Sequence, residues 1–135
     1  MPFVIHPTLA KDSVLVGRSG QIQIRLMDDS RYFWLILVPE TGATELHQLP
    51  AELANELWRV IRQLGHDLQQ HTNADKLNNA AIGNMVPQLH FHLVARHIGD
   101  ADWPKPIWGA GEASPLADAA KTLRINSVQN WIGNL

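Results

Sequence analysis

Two adjacent stretches constrain the fold of this chain most. Gln21-Ile22-Gln23-Ile24-Arg25-Leu26-Met27 alternates polar and apolar residues, which is the period of a half-buried strand because successive side chains leave a strand on opposite faces. A turn cluster follows, Asp28-Asp29-Ser30-Arg31, and then Tyr32-Phe33-Trp34-Leu35-Ile36-Leu37-Val38, an apolar run stopped by Pro39. Such a run between turn signals reads as a central strand covered on both faces. Together the two stretches predict an antiparallel hairpin.

The remaining elements are placed around it. Pro50 suits the first turn of a helix, where a missing N–H costs little. Leu53, Leu57, Ile61, Leu64 and Leu68 then recur at helical spacing, so one stripe faces the core through about Gln70. Trp58 and Val60 widen that stripe, as further packing or as a contact with another subunit. Phe3 to Ile5 and Val14 to Val16 are short apolar pieces that read as edge strand or turn, and Leu9 can start a helical turn. Asp75 to Ile82 reads as a weaker strand, broken by Gly83-Asn84. Residues 99–109, with two prolines and two tryptophans, cannot form a regular element. Ser114-Pro115 can cap and begin a last helix, with Leu116, Ala120, Leu123, Val128 and Trp131 as its stripe. No repeat or linker divides the chain, and one domain of residues 1–135 is expected.

Composition excludes several function classes. Eleven Lys and Arg against thirteen Asp and Glu leave a formal charge of -2, which argues against gripping long nucleic acid by charge. Without cysteine there is no disulfide, no thiolate nucleophile and no Cys-containing zinc site. No window approaches the roughly 18 apolar residues of a membrane span, and the first residues lack a basic region followed by an apolar stretch. A cytoplasmic protein without a membrane partner is expected.

The candidate chemistry lies in Pro87-Gln88-Leu89-His90-Phe91-His92-Leu93-Val94-Ala95-Arg96. Strand alternation puts Leu89, Phe91 and Leu93 on a core face and Gln88, His90 and His92 on the other. Neighbours on the polar face then stand roughly 6–7 Å apart, close enough for two imidazoles to converge on one anion. The other five histidines, His6, His47, His66, His71 and His97, fall in expected loops or on helix surfaces and carry no functional assignment. Two site chemistries suit the His90/His92 pair. Zinc would need four ligands, or three and a water, and no carboxylate lies beside the pair. Gln88 is a poor ligand for a transition metal, so the metal reading ranks second. A phosphate site uses the whole polar face: one neutral imidazole attacks phosphorus, while the other and the amides around Asn84 hold the oxygens.

The stretch Gly83-Asn84-Met85-Val86-Pro87-Gln88-Leu89-His90-Phe91-His92-Leu93-Val94-Ala95-Arg96 resembles the signature of the histidine triad (HIT) superfamily, H-x-H-x-H-x-x with x apolar, after a short Gly-polar-polar-Val segment. It is similar to a bacterial-type member with Gln in place of the first triad histidine. With the hairpin and the long helix in the family's order, the resemblance spans about three quarters of the chain. It implies an α+β fold: an antiparallel sheet of about five strands with one long helix and a C-terminal helix packed on it, in a homodimer. It also implies a nucleotide phosphohydrolase or nucleotidyltransferase. In that family the middle histidine, here His90, attacks the α-phosphate of a nucleotide and forms a covalent nucleotidyl-histidine that water hydrolyses. The implied substrate is a purine nucleotide or a dinucleoside polyphosphate, with no cofactor and no metal. His92 matches the phosphate-holding third histidine and Asn84 a phosphate contact. The asparagine of the preceding strand corresponds to Asn78 or Asn79, and the acid that takes the ribose hydroxyls to Asp28 or Asp29.

The sequence departs from the pattern at two points. Met85 stands where a hydroxyl is often found, which removes a phosphate contact. Gln88 replaces the first histidine; it can orient a neighbour or a phosphate but cannot titrate near neutral pH. Either a hydrolase with altered leaving-group protonation or a nucleotide-binding protein with little or no activity follows. A metal-dependent hydrolase using His90 and His92 is the third reading. Attack by His90 requires its other ring nitrogen to donate to a fixed acceptor, most simply a main-chain carbonyl. Trp103-Pro104-Lys105-Pro106-Ile107-Trp108 either walls the groove or only fastens the tail to the core.

Overall fold

The computed structural model describes residues 2–135. The chain runs α1 (Pro7–Asp12), β1 (Ser13–Ser19), β2 (Ile22–Met27), β3 (Trp34–Pro39), α2 (Ala51–Thr72), β4 (Lys76–Ala80), β5 (Phe91–Arg96) and α3 (Asp118–Gly133), with a 3-10 turn at Leu46–Gln48. The strands form one antiparallel five-stranded sheet in the order β1-β2-β3-β5-β4. With its helices this is the α+β architecture expected from the sequence.

The hairpin forms as read, with Ile22 opposite Pro39 and Leu26 opposite Leu35. One face of the sheet carries Ile24, Leu26, Leu35, Leu37, Leu93 and Ala95, and it buries them with Leu57, Val60, Ile61, Leu64 and Leu68 of α2. Each such side chain contributes about 1.5–3 kcal/mol by leaving water. Val60 joins this core, whereas Trp58 is 60% exposed. α2 ends where Asn73 adopts the left-handed conformation (φ 55°) and returns its N–H to the Gln69 carbonyl.

Four expectations are corrected. The polar face of β2 is not solvated: Gln23 and Arg25 are both buried. Arg25 donates to Ser13 Oγ (2.8 Å), to the Ser13 carbonyl (3.2 Å) and to Gln23 Oε1 (3.0 Å), so its hydrogen bonds are made internally. β5 begins at Phe91 rather than near Pro87, because pairing with β3 stops at Leu37–Phe91 and pairing with β4 at Ala80–His92. Leu89 still packs into the core from the irregular lead-in. The last helix begins at Asp118, because the preceding segment is held extended against the turn after β2. Leu116 N–H donates to Asp28 Oδ1 at 2.9 Å, and Ser30 N–H to the Ser114 carbonyl at 2.6 Å. Leu123, expected in the buried stripe of α3, is 68% exposed. The neighbouring Arg124 turns inward instead, donating to the Tyr32 carbonyl at 2.7 Å and lying 4.8 Å from the Phe33 ring centre. Gly17 lets α3 approach β1: a Cβ there would stand 3.0 Å from Ile132 Cδ1.

The second face of the sheet carries Trp34, Ile36, Val38, His92, Val94 and Arg96. It is covered by α1 with the residues before it, through Phe3, Ile5 and Leu9, and by the segment after β5, through Ile107 and Trp108. The functional candidates sit on this face.

Candidate active site

Between α1, the turn at Asp28 to Arg31, the loop at Gly83 to Val86 and the segment around Trp108 lies a cleft of about 580 Å³. His90, His92, Asn84, Asp28 and Asp29 all line it. Five of the residues singled out in the sequence, from three separate stretches, therefore share one cavity. Gly83 takes a positive φ of 74°, a conformation open to glycine at little cost, where the chain turns to bring Asn84 and Met85 to the mouth. Met85 is 92% exposed there.

The two imidazoles lie 4.9 Å apart between ring centres, nearly edge to face. His90 Nδ1 is 2.7 Å from the Gln88 carbonyl oxygen. A carbonyl only accepts, so Nδ1 carries the hydrogen and the neutral ring keeps its lone pair on Nε2. His92 is fixed in the opposite sense. Its Nδ1 lies 3.0 Å from the indole Nε1–H of Trp34, a group that only donates, so the hydrogen of His92 sits on Nε2. The pair thus presents one bare nitrogen and one N–H. Burial, reinforced by His90, pushes the His92 pKa down to about 3, so this ring is uncharged at neutral pH.

The two acidic candidates separate. The Asp29 side chain is 1% exposed and pairs with Arg31, its Oδ2 accepting from Nη2 at 2.8 Å and its Oδ1 from the Arg31 backbone N–H at 3.0 Å. Burial alone would raise its pKa, but the bonds from Arg31 prevail and hold the carboxyl below its usual range. The Asp28 side chain is 33% exposed, with Lys121 Nζ 3.6 Å from its Oδ1. Asp28 has open capacity toward the cleft, whereas Asp29 is spent on the turn.

Two candidates fall outside the cleft. Gln88, expected to orient a neighbouring group or a phosphate, lines a separate hollow of about 270 Å³ shared with His90. Both ends of its amide hold the N-terminal segment: Oε1 accepts from the His6 N–H at 2.8 Å and Nε2 donates to the Val4 carbonyl at 2.9 Å. It orients His90 only through its main-chain carbonyl. Asn78 stands on the same sheet face as His92, but its Oδ1 accepts from Arg96 Nη1 at 2.8 Å, and Asn79 alternates to the opposite face.

Arg96, buried to 1% exposure, also holds Asp100 through Nε (2.7 Å) and Nη2 (2.9 Å) and lies 5.5 Å from the Trp103 ring centre. This cluster pins the segment after β5, so the two expectations for its tryptophans divide. Trp103 fastens the segment, and Trp108 walls the cleft, its ring 5.3 Å from that of His92. Residues that the sequence reading missed are Trp34, Arg31 and the α1 residues Thr8 and Leu9, all of which line the cleft. For Trp34 a signal existed: an indole N–H within an apolar run needs a partner when buried. Among the described residues no group of three or more His, Cys, Asp or Glu could hold a metal ion, which leaves the metal reading two nitrogen donors and no third ligand.

Residues 8–99, which include the sheet and both histidines, match the HIT domain family. The chain belongs to the HIT family. It is 34% identical to a histidine triad protein from Marinobacter aquaeolei, with a TM-score of 0.96 over 100% of this chain and 99% of that one. A histidine triad protein from Bradyrhizobium japonicum is 33% identical, with a TM-score of 0.94 over 98% of this chain and 99% of the other. A third, from Sinorhizobium meliloti, is 35% identical, with a TM-score of 0.92 over 95% and 96% respectively. No curated protein matches the chain.

Proposed function

We propose that this HIT protein is a nucleotide phosphohydrolase or nucleotidyltransferase that attacks the α-phosphate of a purine nucleotide or dinucleoside polyphosphate through a covalent nucleotidyl-His90. The observation that carries this reading is the 2.7 Å bond from His90 Nδ1 to the Gln88 carbonyl, because it leaves the Nε2 lone pair as the nucleophile. It also stabilises the positive charge that the ring gains on bonding to phosphorus. The His92 Nε2–H then donates to a phosphate oxygen as charge develops there, and Asn84 at the mouth holds another. Asp28 accepts from the ribose hydroxyls. Trp34, Trp108 and Leu9 supply apolar walls. Reaction requires phosphorus about 3–3.5 Å from Nε2 and in line with the leaving group.

The protein is read as a cytoplasmic single-domain homodimer. In support of the dimer, β4 is the last strand of the sheet, an edge to which a second copy can add. Light scattering on the purified protein tests that part.

Incubation with a dinucleoside polyphosphate or an adenosine phosphoramidate, followed by denaturing quench and intact-mass measurement, tests the chemistry. The expected result is a protein heavier by one nucleotidyl group, lost in His90→Asn. Saturable AMP binding without adduct or turnover would instead support a nucleotide-binding protein.

A further inference from the structure

The hydrogen bond from Trp34 to His92 has a consequence for the leaving group. Trp34 opens β3 opposite Val94, which makes it a diagonal neighbour of His92, within reach of a large aromatic side chain. Its Nε1–H donates to His92 Nδ1 at 3.0 Å. Protonating His92 would set two N–H groups against each other in a ring that is only 6% exposed. Asp12, Asp28 and Asp29 line the same cleft, but the groups directly against that ring supply no compensating negative charge. They are the His90 ring at 4.9 Å, the Trp108 ring at 5.3 Å and, on the flanking strands, Ile36 and Ala80. Arg96, four positions along the same strand, is itself a cation, bound to Asp100. His92 therefore holds a phosphate oxygen with a neutral N–H, which is no acid in the neutral pH range.

Lys11, Asp12 and Asp28 also line the cleft, but three other groups beside His92 supply no proton. Gln88 carries a carboxamide that does not titrate, and both its ends are bound to Val4 and His6. Asp29 is held ionised by Arg31. His90 donates its one hydrogen to a carbonyl and uses Nε2 to attack.

We infer that Trp34 is a positioning residue that locks His92 as an uncharged Nε2–H donor, and that the site, with no general acid in its histidine pair, prefers nucleotidyl phosphoanhydrides to nucleotidyl phosphoramidates. This rests on the reading of His90 as the nucleophile. In the anhydride reaction the Nε2 lone pair forms the N–P bond while the P–O bond to the departing phosphate breaks, its electron pair staying on that oxygen as a stable anion. Water then attacks phosphorus, the N–P pair returns to Nε2, and the water proton passes to solvent. With a phosphoramidate, the breaking P–N bond would leave its pair on an amine nitrogen, which must gain a proton as it departs. Neither histidine delivers one.

Two measurements test this. Wild-type protein at pH 8 is given diadenosine triphosphate and adenosine 5′-phosphoramidate, and AMP release is followed. A kcat/KM preference of about a hundredfold or more for the anhydride is expected, the size of effect that a missing general acid produces. Nitrogen-15 NMR of the histidine rings should show His92 as the Nε2–H tautomer, unchanged from pH 8 to pH 5. In Trp34→Phe, which keeps an aromatic ring but no donor, the His92 tautomer should no longer be fixed and an Nδ1–H population should appear in the same spectra. Equal turnover of the two substrates by the wild type, or titration of wild-type His92 within that range, overturns the inference while leaving nucleotidyl-His90 intact. If neither substrate yields an adduct, the leaving-group preference falls with the proposed function, and the NMR still decides whether Trp34 sets the tautomer.

Discussion

Gln88 and His6, 82 positions apart in the chain, are joined by a 2.8 Å hydrogen bond from the His6 backbone N–H to the Gln88 amide oxygen, and the amide nitrogen closes the clasp on Val4. At its other side His6 caps α1, its Nδ1 accepting from the Thr8 N–H at 3.1 Å. Gln88 thus works through its side chain on the segment leading into a wall of the cleft, and through its main chain on His90.

Replacing Gln88 with alanine should therefore loosen the N-terminal segment without disturbing the tautomer of His90. Two hydrogen bonds at about 0.5–1.5 kcal/mol each are removed, partly replaced by water. Amide exchange at His6 should accelerate about tenfold, while the His90 Nδ1–H signal persists. Loss of that signal would show that the side chain, rather than the carbonyl, sets the ring.

The two adjacent acids should behave differently. Asp28→Asn is expected to weaken AMP binding about tenfold, the cost of one charged hydrogen bond to a ribose hydroxyl, with a stability change within about 1 kcal/mol. Asp29→Asn breaks a pair whose carboxylate is 1% exposed and should cost about 2–3 kcal/mol in urea denaturation. The reverse ranking would reassign the ribose contact.

Arg96 should be the most sensitive charged residue for stability. Arg96→Met keeps apolar bulk but leaves Asp100 and Asn78 without their donor, at a cost of about 3–5 kcal/mol. Exchange should rise across residues 97–109, and Trp108 should lose its fixed contact with His92. A change under 1 kcal/mol would mean that the segment is held by its aromatics alone.

Acid should weaken the fold through His92. Its pKa lies at about 3 in the folded chain against about 6.5 unfolded, so between these values the unfolded chain binds more protons. This contribution is present above pH 6.5 and is lost as the pH falls toward 3. From pH 7 to pH 5 it amounts to about 2 kcal/mol. Comparing urea midpoints at the two pH values in wild type and His92→Gln isolates it, and an equal pH dependence in both would refute the assignment. Asp100, held at about 2 chiefly by Arg96, adds a loss in the same direction, but only below the ordinary range of aspartate.

Local pattern made several parts of this protein legible. The alternation in 21–27 and the apolar run after the turn specify the hairpin, because strand periodicity is a property of neighbouring residues. The leucine stripe of α2 is likewise local, and so is the common face of His90 and His92. The motif around them carried the family. What pattern misjudged depended on partners distant in sequence. β2 reads as half-solvated because nothing local reports that Ser13 and Gln23 satisfy Arg25. The last helix reads three residues too early because the carboxylates that hold Ser114 and Leu116 lie more than 80 positions away.

The same division runs through the site. The sequence by itself determined that His90 and His92 face one side, since residues i and i+2 of an extended chain share a side. Only the tertiary structure decided what each can do. A tautomer is set by the group opposite the other ring nitrogen: for His90 a carbonyl two residues back, for His92 an indole 58 positions away. Asp28 and Asp29, alike in sequence, were distinguished by whether Arg31 had already taken the carboxylate. Hydrogen bonds act at about 3 Å whatever the separation along the chain, so these assignments exist only once the chain has folded.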